Sequence, residues 1–345
     1  MTDSRVGEVI HDRYRIVEPL AAGAMGLVYR GERLAPGRPV AIKFLHAAIA
    51  ADPAVLARFE DEARAASRMN HPNVVGVIDR GSHRGAPFLV MDLIRGCTLR
   101  ALVAEGAIAV PRALRLVQQV LAGLAHAHGR GVVHRDIKPE NILVWSDELG
   151  EHAQLTDFGL AKRLDAVGAS QDLAIGTPSY MSPEQTLGLP VDPRSDLYSA
   201  GILMFELLAD RKPFHSPYMF ETLRMQREAP VPWFGDVAPE REIPAELEGV
   251  VRRALAKDPA GRYHSAGDFA VALDDAMLSA HEHSDVDIPV LLAASKPRWP
   301  WRYLAVVAAL VGVAYLSRMK LYEAAASLDG SSDTARHEEH RNQNP

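Results

Sequence analysis

The 345-residue chain has 48% hydrophobic and 24% charged residues, which is ordinary globular composition with enough length for two packed lobes or domains. A formal charge of −6 without a basic block argues against nucleic-acid binding. The single cysteine, Cys97, excludes an internal disulfide, and the polar start Met1–Arg13 lacks the apolar core of a signal peptide. We therefore expect the bulk of the chain to stay in a reducing cytoplasm.

The N-terminal part has the pattern of short strands. Tyr14–Leu20 and Leu27–Arg30 flank a glycine-containing loop, Ala21–Gly26, and a third run, Val40–Leu45, is apolar except for Lys43. A lysine buried in such a run needs a counter-charge, whereas on an edge strand it reaches water, which is the commoner arrangement. The strand pattern alone leaves both interpretations of Lys43 open.

A helix is predicted after the third strand, with Asp52-Pro53 as its cap and first turn. Glu62 lies beside the apolar stripe of this helix, so it either faces inward toward Lys43 or is an ordinary solvated charge. The stripe consists of Val55, Leu56, Phe59, Ala63, Ala66 and Met69.

The pattern changes from strands to helices near Gly96. Two further strands are predicted at Val74–Ile78 and Phe88–Leu93, and a helix at Leu114–Ala127. Leu197–Ala209 is apolar on nearly every face, which predicts a buried central helix. Strands first and helices after indicate an α+β architecture with two lobes.

The segment His134–Asn141 has the residue types that phosphate chemistry requires. Asp136 can orient and deprotonate an attacking hydroxyl, Lys138 can neutralise charge on phosphoryl oxygens, and Asn141 can ligate a metal. Chance occurrence in a loop is the alternative for a motif of this length.

A short hairpin is predicted after this segment, from Ile142–Val144 and Gln154–Thr156. Asp157 follows it directly, with Phe and Gly behind. This position suits a metal-binding carboxylate, and a plain turn is the alternative.

The ordered set of motifs resembles the protein-kinase superfamily, specifically its bacterial serine/threonine branch, often called eukaryotic-like or Hanks-type. The resemblance covers residues 14–278 and implies a bilobal kinase fold, with a small β-rich N-lobe over about 14–93 and a larger helical C-lobe over about 97–278. Its motifs are Gly26-Leu27-Val28, Val40-Ala41-Ile42-Lys43, Glu62, His134-Arg135-Asp136, Asn141, Asp157-Phe158-Gly159, Gly176-Thr177 through Pro183-Glu184, Asp196 through Gly201, and Lys257-Asp258-Pro259 with Arg262.

The resemblance implies that the chain uses ATP and Mg²⁺. Lys43 would hold the α- and β-phosphates and pair with Glu62, and Asn141 and Asp157 would bind Mg²⁺. The residues implied to contact the nucleotide, besides Lys43, Asn141 and Asp157, are Ala21, Ala22, Gly23, Ala24, Met25, Gly26, Val28, Ala41, Met91 as gatekeeper, Asp92 to Ile94 as hinge, and Leu143.

The resemblance also implies how the phosphate acceptor is handled. Asp136 would accept the proton of the substrate hydroxyl, Lys138 would steady the γ-phosphate, and Thr177 would bridge to both. Lys138 and the Gly176-Thr177 pair resemble the serine/threonine group more than the tyrosine group. Protein substrates bearing serine or threonine are therefore expected, rather than small molecules.

Three further charged residues would brace this site. Glu184 and Arg262 would form a buried ion pair under the substrate-binding loop, and Asp196 would hold the loop that carries Asp136. A small-molecule phosphotransferase, the second enzyme class with this fold, typically has glycine where Arg135 stands.

Two departures from the kinase pattern are present. Ala21 stands where the first glycine of the loop usually lies, which predicts altered nucleotide affinity rather than inactivity. The stretch Leu160–Ile175 has Ser170 as its sole hydroxyl residue. Phosphorylated Ser170 or Asp172 are both candidates for the basic pocket that Arg135 suggests, and activation without a phosphate is the third option.

The C-terminal fifth is predicted to anchor the chain in a membrane. A polar linker, 279–298, precedes a mostly apolar run, 299–317, which as a helix would be about 28 Å long, close to the ~30 Å hydrocarbon core. A packed apolar helix or an in-plane anchor is the alternative, and 318–345 would be a short polar tail.

These expectations place the chain in the cell inner membrane or plasma membrane as a single-pass protein with its kinase domain in the cytoplasm. A homodimer for autophosphorylation is a further expectation. A non-catalytic, membrane-tethered scaffold is the competing class, against which stand Lys43, Asp136, Asn141 and Asp157. Kinase fold alone would not establish activity.

Overall fold

The computed structural model describes residues 5–23, 26–46, 53–158 and 178–283. The chain is one compact unit as far as Asp285, and a second unit, Val286–Pro345, lies outside the described ranges. The strands are β1 Val9–Ile10, β2 Tyr14–Gly23, β3 Gly26–Arg33, β4 Arg38–Leu45, β5 Val77–His83, β6 Ala86–Asp92, β7 Cys97–Thr98, β8 Ile142–Asp147 and β9 Gly150–Leu155. The helices are α1 Pro53–Ala66, α2 Leu99–Glu105, α3 Val110–His128, α4 Pro183–Thr186, α5 Pro193–Ala209, α6 Met219–Glu228, α7 Phe234–Val237, α8 Ala245–Ala254 and α9 Ala266–His283.

The N-lobe is an antiparallel six-stranded sheet in the order β1-β2-β3-β4-β6-β5. The edge of the sheet formed by β1 and β2 approaches β5 at the other edge. His11, which follows β1, donates to the carbonyl of Ser82 at 2.9 Å, and the hydroxyl of Tyr14 in β2 donates to Asp79 at 2.9 Å. The sheet therefore curls around a core of its own, composed of Ile10, Tyr14, Ile16, Tyr29, Val40, Ile42, Phe44, Phe88 and Val90.

Strand β4 separates two apolar clusters, because successive side chains of a strand point to opposite faces. Ile42 and Phe44 enter the core inside the curled sheet, whereas Ala41 and Leu45 pack with residues of α1 and β6 on the other face. Lys43 has the same parity as Ala41 and Leu45. The two-residue period thus directs its ammonium away from the sheet's own core and toward the C-lobe.

Helix α5 is the centre of the C-lobe, since every residue from Ser195 to Ala209 is buried. This confirms the predicted buried helix. Helices α3 and α8 both contact α5, and α9 packs against α3 and α8. Gly201 permits the close approach of α8, because a Cβ at this position would lie 2.8 Å from the Cβ of Ala254.

A three-stranded sheet, β7-β8-β9, lies at the end of the 134–141 loop. The β8–β9 hairpin confirms the predicted one and extends it to Ile142–Asp147 and Gly150–Leu155. The N–H of Thr156 donates to the carbonyl of Asn141 at 3.0 Å, which brings the end of β9 beside the loop.

The predicted strand Val74–Ile78 is wrong in its bounds, because β5 starts at Val77 and continues to His83. The segment before it bonds to β9 instead. The N–H of Val75 donates to the carbonyl of Leu155, and the N–H of Leu155 donates to the carbonyl of Asn73, both at 2.9 Å. The two-residue strands β1 and β7 were not predicted, since two residues have no recognisable period.

Within the described ranges, no helix is long and apolar enough to cross a membrane. The predicted span 299–317 and the tail 318–345 lie outside those ranges, as does the linker beyond residue 283. The same holds for Asp52, the predicted helix cap.

Candidate active site

The 134–141 loop is attached to helix α5 by a single buried carboxylate. Oδ2 of Asp196 accepts the N–H of His134 at 2.7 Å, and its Oδ1 accepts the N–H of Arg135 at 2.7 Å. Asp196 has no exposed surface, so these hydrogen bonds are made away from competing water. The predicted bracing role of Asp196 is confirmed. Nε2 of His128 also lies 2.8 Å from Oδ2 of Asp196.

Two residues of this region adopt a left-handed backbone conformation, Arg135 with φ 65° and Asp157 with φ 61°. Residues other than glycine adopt this conformation at a cost, and such strain concentrates at functional sites. The bond from Arg135 to Asp196, together with that from Gln185 Nε2 to the carbonyl of Arg135 at 2.9 Å, holds the first of them in place.

Asp136 is positioned by two neighbours in its own loop. Nζ of Lys138 lies 2.8 Å from its Oδ2, and Nδ2 of Asn141 donates to the same oxygen at 2.9 Å. Asn141 also donates to the main-chain carbonyl of Asp136 at 2.8 Å. The three functional side chains predicted from this segment therefore form one cluster.

His134 lies behind the cluster and is fully buried. Its Nδ1 accepts the N–H of Asp136 at 3.3 Å, and its Nε2 donates to the carbonyl of Thr156 at 3.0 Å. Burial lowers the pKa of His134 below its ordinary value, although the carboxylates of Asp196 and Asp136 act in the opposite direction. A neutral imidazole satisfies both contacts and packs against the ring of Phe158, with 4.5 Å between ring centroids and 47° between ring planes.

Lys43 of the N-lobe contacts Asp157, two residues beyond the end of β9. Its Nζ lies 2.6 Å from Oδ1 of Asp157, and its side chain is 6% exposed. The solvated edge-strand interpretation of Lys43 is therefore wrong. Glu62, the partner that the resemblance implied, belongs to α1, but its side chain is outside those described.

Asn141 and Asp157 fit the predicted Mg²⁺ site by the chemistry of their donor atoms. The amide nitrogen of Asn141 is bonded to Asp136, which leaves its Oδ1 as the atom able to ligate a metal. Mg²⁺ prefers such hard oxygen ligands, and it commonly takes one or two from the protein and the others from phosphates and water.

The residues implied to surround the adenine share one apolar cluster. Ala41 and Met91 are directly opposite each other in the β4–β6 pairing, and Val28, Ile94 and Leu143 pack against the same cluster. Asp92 differs from them, because its carboxylate is bonded to Arg38 at 2.8 Å. An apolar wall with few polar groups is the usual lining of a small-molecule site.

The glycine loop is the tip of the β2–β3 hairpin. Gly23 pairs with Gly26 across it, and Ala24 and Met25 lie outside the described ranges. Gly26 has to be glycine, since a Cβ there would lie 1.8 Å from the carbonyl oxygen of Phe44.

Ala21, the departure from the kinase pattern, lies in strand β2 opposite Val28. It is not among the described residues with positive φ, so an alanine side chain causes no backbone strain at this position. Its neighbour Ala22 pairs with Leu27 in the same way.

The segment that begins at Pro178 is anchored in the C-lobe by an ion pair. The guanidinium of Arg262 makes two bonds to Glu184, at 2.7 and 2.8 Å, and both side chains are buried. Ser195 donates a further hydrogen bond to the same carboxylate. The predicted Glu184–Arg262 pair is confirmed.

Sequence reasoning missed a second polar network around Arg100 of helix α2. Its guanidinium donates to Glu140 at 2.9 Å, to Glu206 at 3.0 Å and to the hydroxyl of Tyr180 at 2.6 Å. Glu140 belongs to the 134–141 loop, and Tyr180 belongs to the segment before α4. No local pattern marks these residues, which are 26 to 106 positions apart.

Several predicted site residues lie outside the described ranges. They are Gly159, Ser170, Asp172, Gly176 and Thr177. The bridge from Thr177 to Asp136 and Lys138 therefore stays a prediction.

Comparison with known proteins agrees with the geometry. The pattern of the protein kinase domain matches residues 14–270. Serine/threonine-protein kinase pkn2 of Myxococcus xanthus is 40% identical over 278 residues, and PknL of Mycobacterium tuberculosis is 40% identical over 260 residues. These matches cover 79% and 75% of this chain, but 33% and 64% of those proteins.

The fold is also that of a solved kinase. The crystal structure of the Mycobacterium tuberculosis PknI kinase domain aligns with a TM-score of 0.63 at 30% identity, covering 79% of this chain and 98% of that domain. The bilobal arrangement predicted from the sequence is thereby confirmed. The chain belongs to the protein kinase family, and its domain is a serine/threonine protein kinase domain of the bacterial, Hanks-type branch.

Proposed function

We propose that this chain transfers the γ-phosphate of ATP to serine and threonine hydroxyls of proteins. The observation that carries the proposal is the cluster in which Lys138 and Asn141 both bond Oδ2 of Asp136. This cluster supplies a positioned carboxylate for a hydroxyl proton, with a cation directly beside it for a phosphate.

In the proposed reaction, each side chain acts from a position that the fold already holds. Asp136 accepts the hydrogen bond and then the proton of the acceptor hydroxyl, while Lys138 compensates charge on the transferred phosphate. Asn141 and Asp157 would hold Mg²⁺, which would neutralise phosphate charge as a Lewis acid. Lys43, oriented by Asp157, binds the phosphates from the N-lobe. Positioning and charge compensation supply most of the rate enhancement in such transfers.

Transfer from labelled ATP to histone by the full-length chain in detergent tests this proposal. Asp136→Asn and Lys43→Met should each abolish transfer. Asp147→Asn is the matched control, because Asp147 is an exposed carboxylate in the β8–β9 hairpin. Unchanged transfer by Asp136→Asn would contradict the assignment, and phosphoamino-acid analysis would identify the acceptor hydroxyl. Mixing Asp136→Asn chain with active chain would test autophosphorylation between two copies.

The proposal includes a membrane anchor at 299–317, with the kinase domain in the cytoplasm where ATP is available. Its support is the length and apolarity of that run. A spanning segment resists extraction by alkaline carbonate, whereas a packed helix or a surface anchor is released. Replacing Val307 and Val311 by arginine should release a spanning chain, and release of the unaltered chain would refute the span.

A further inference from the structure

Gln226 of helix α6 is a fully buried amide with every polar atom engaged. Its Nε2 donates to the carbonyl of Ser179 at 2.6 Å and to that of Pro178 at 3.2 Å. Its Oε1 accepts the hydroxyl of Tyr198 at 2.7 Å. The side chain has no exposed surface, so loss of these bonds would leave buried carbonyls without partners.

These bonds fix the short 3₁₀ turn Pro178–Tyr180 against the helices of the C-lobe. The amide of Gln226 donates to the first two carbonyls of the turn, and the hydroxyl of Ser199 donates to the third, that of Tyr180, at 2.7 Å. On its other side the turn contacts the 134–141 loop, because Arg100 joins the Tyr180 hydroxyl to Glu140. Residues of α5 and α6 therefore fix the position of the turn relative to Asp136.

The direction of the hydrogen bond between Tyr198 and Gln226 is set one step further away, by Lys257. Nζ of Lys257 donates to the carbonyls of Gln226 at 2.8 Å and Met225 at 3.2 Å, and to the hydroxyl oxygen of Tyr198 at 3.2 Å. An ammonium can only donate, so the Tyr198 hydroxyl accepts from Lys257 and gives its own proton to Gln226. The acceptor is the amide Oε1 at 2.7 Å, which is nearer than the main-chain carbonyl of Gln226 at 3.3 Å. That proton acts with the carbonyls of Pro178 and Ser179, which can only accept, to keep the amide nitrogen of Gln226 facing the turn.

We propose that Gln226, oriented by Tyr198 and Lys257, is a positioning residue that holds the Pro178–Tyr180 turn for the polypeptide substrate. The inference rests on the proposed function, since it concerns the same transfer to proteins. Gln226 acts through the turn and contacts neither ATP nor the reacting atoms. Its loss should therefore weaken use of the protein acceptor and leave use of ATP unchanged.

Lys257 makes the hydrogen bonds that link it through Tyr198 to Gln226 sensitive to alkaline pH. Burial, reinforced by the charge of Arg262, lowers the pKa of Lys257 to about 8. Nζ of Lys257 faces the Tyr198 hydroxyl of α5, the carbonyls of Met225 and Gln226 of α6, and the ring of Phe214 at 3.8 Å. Arg262 donates to the carbonyl of Lys257 and is itself paired with Glu184. Burial raises the pKa of Tyr198, so its phenol stays neutral. A neutral Lys257 can accept the Tyr198 proton, and Gln226 then loses its orienting bond.

The test compares Michaelis constants of the full-length chain for histone and for ATP. Gln226→Leu should raise the KM for histone about tenfold and change the KM for ATP less than twofold. Gln119→Leu is the matched control, since Gln119 of α3 likewise binds a carbonyl, that of Glu151 at 3.0 Å, and accepts an N–H, that of Ala153 at 2.7 Å. It should change neither constant. Equal effects of Gln226→Leu on both constants, or none, would overturn the proposal.

A second measurement remains decisive if Gln226→Leu does not fold. In the unaltered chain the KM for histone should rise above about pH 8 while the KM for ATP does not. Lys257→Arg, a donor at every accessible pH, should abolish that rise. A flat histone profile, or the same rise in Lys257→Arg, would overturn the proposal. Absence of transfer by the unaltered chain would instead overturn the proposed function, and this inference with it.

Discussion

Nζ of Lys43 lies 2.6 Å from Oδ1 of Asp157, and the two residues belong to different lobes. The lysine is almost wholly buried, so this carboxylate compensates a charge that would otherwise be costly. The contact connects β4 of the N-lobe with Asp157, which is separated from the end of β9 by Thr156 alone. It thus brings together two charges that the proposed reaction needs at the phosphates.

Replacing Asp157 by asparagine should therefore disable transfer without unfolding the domain. The change preserves shape, removes the charge beside Lys43 and would weaken the proposed Mg²⁺ site, so we expect transfer to fall by about 100-fold or more. Labelled-ATP transfer at increasing Mg²⁺ concentration measures this effect. Asp147→Asn serves again as control, and transfer that is retained at low Mg²⁺ would contradict the assignment of Asp157.

Removing one partner of the buried Glu184–Arg262 pair should destabilise the domain much more than replacing both partners together. Glu184→Gln leaves the guanidinium without its counter-charge, and breaking such a pair costs about 3–5 kcal/mol in the free energy of unfolding. Replacing both residues by methionine should cost much less, because neither charge then stays buried alone. Denaturant titration of the two variants checks this, and equal losses would contradict the argument.

The same pair predicts how acid destabilises the domain. Burial raises the pKa of Glu184, but the hydrogen bonds from Arg262 and Ser195 outweigh it and hold that pKa below its ordinary value. The folded carboxyl is therefore the stronger acid, and its contribution is present above the unfolded pKa and lost as pH falls through the folded one. Between about pH 5 and 3, the unfolding free energy of the unaltered chain should fall more steeply than that of Glu184→Gln. Parallel curves would contradict this.

Gly26→Ala should damage the proposed nucleotide site, and Gly23→Ala should not. A Cβ on Gly26 would meet the Phe44 carbonyl oxygen at 1.8 Å, whereas one on Gly23 meets its nearest atom at 3.9 Å. The first change must push β3 away from β4, at a cost of about 1–3 kcal/mol. Thermal unfolding and binding of a fluorescent ATP analogue measure both effects. Equal behaviour of the two variants would show that the hairpin tolerates the shift.

Arg100→Ala should reduce transfer although Arg100 touches no reacting atom. The change removes the link between Glu140 of the 134–141 loop and Tyr180 of the neighbouring turn. Small displacements of this kind lower rates by about 10- to 100-fold. Arg112→Ala is the control, since Arg112 makes comparable bonds to Glu151 in the β8–β9 hairpin. A similar loss of activity in both variants would point to general destabilisation.

Much of the site could be predicted from the sequence because its residues are of unusual type for their surroundings. The sequence alone identifies Lys43 as a lysine within an apolar strand and Asp157 as an aspartate directly after a predicted strand. The apolar helix around Gly201 is visible for the same reason. The ends of the strands were less predictable. Val74 and Val75, for example, have strand character but pair with the end of β9 rather than belonging to β5.

The networks around Arg100 and Gln226 could not be predicted in the same way. Both residues lie in ordinary helices, and arginine and glutamine are common on helix surfaces. Gln226 is recognisable as a buried residue only once α6 has packed over the Pro178–Tyr180 turn. A polar residue acquires such a role by burial, which local periodicity does not encode.

The sequence by itself determined the order of the motifs, the two-lobed α+β architecture and the side chains available for phosphate chemistry. These follow from residue type and from the periods of strand and helix, which are properties of neighbouring residues. The tertiary structure decided which charges meet, so that Lys43 contacts Asp157 across 114 positions and Gln226 holds a turn 47 positions away. Pairing at such separations depends on which polar groups the packed core removes from water, and that is decided only when the whole domain has folded.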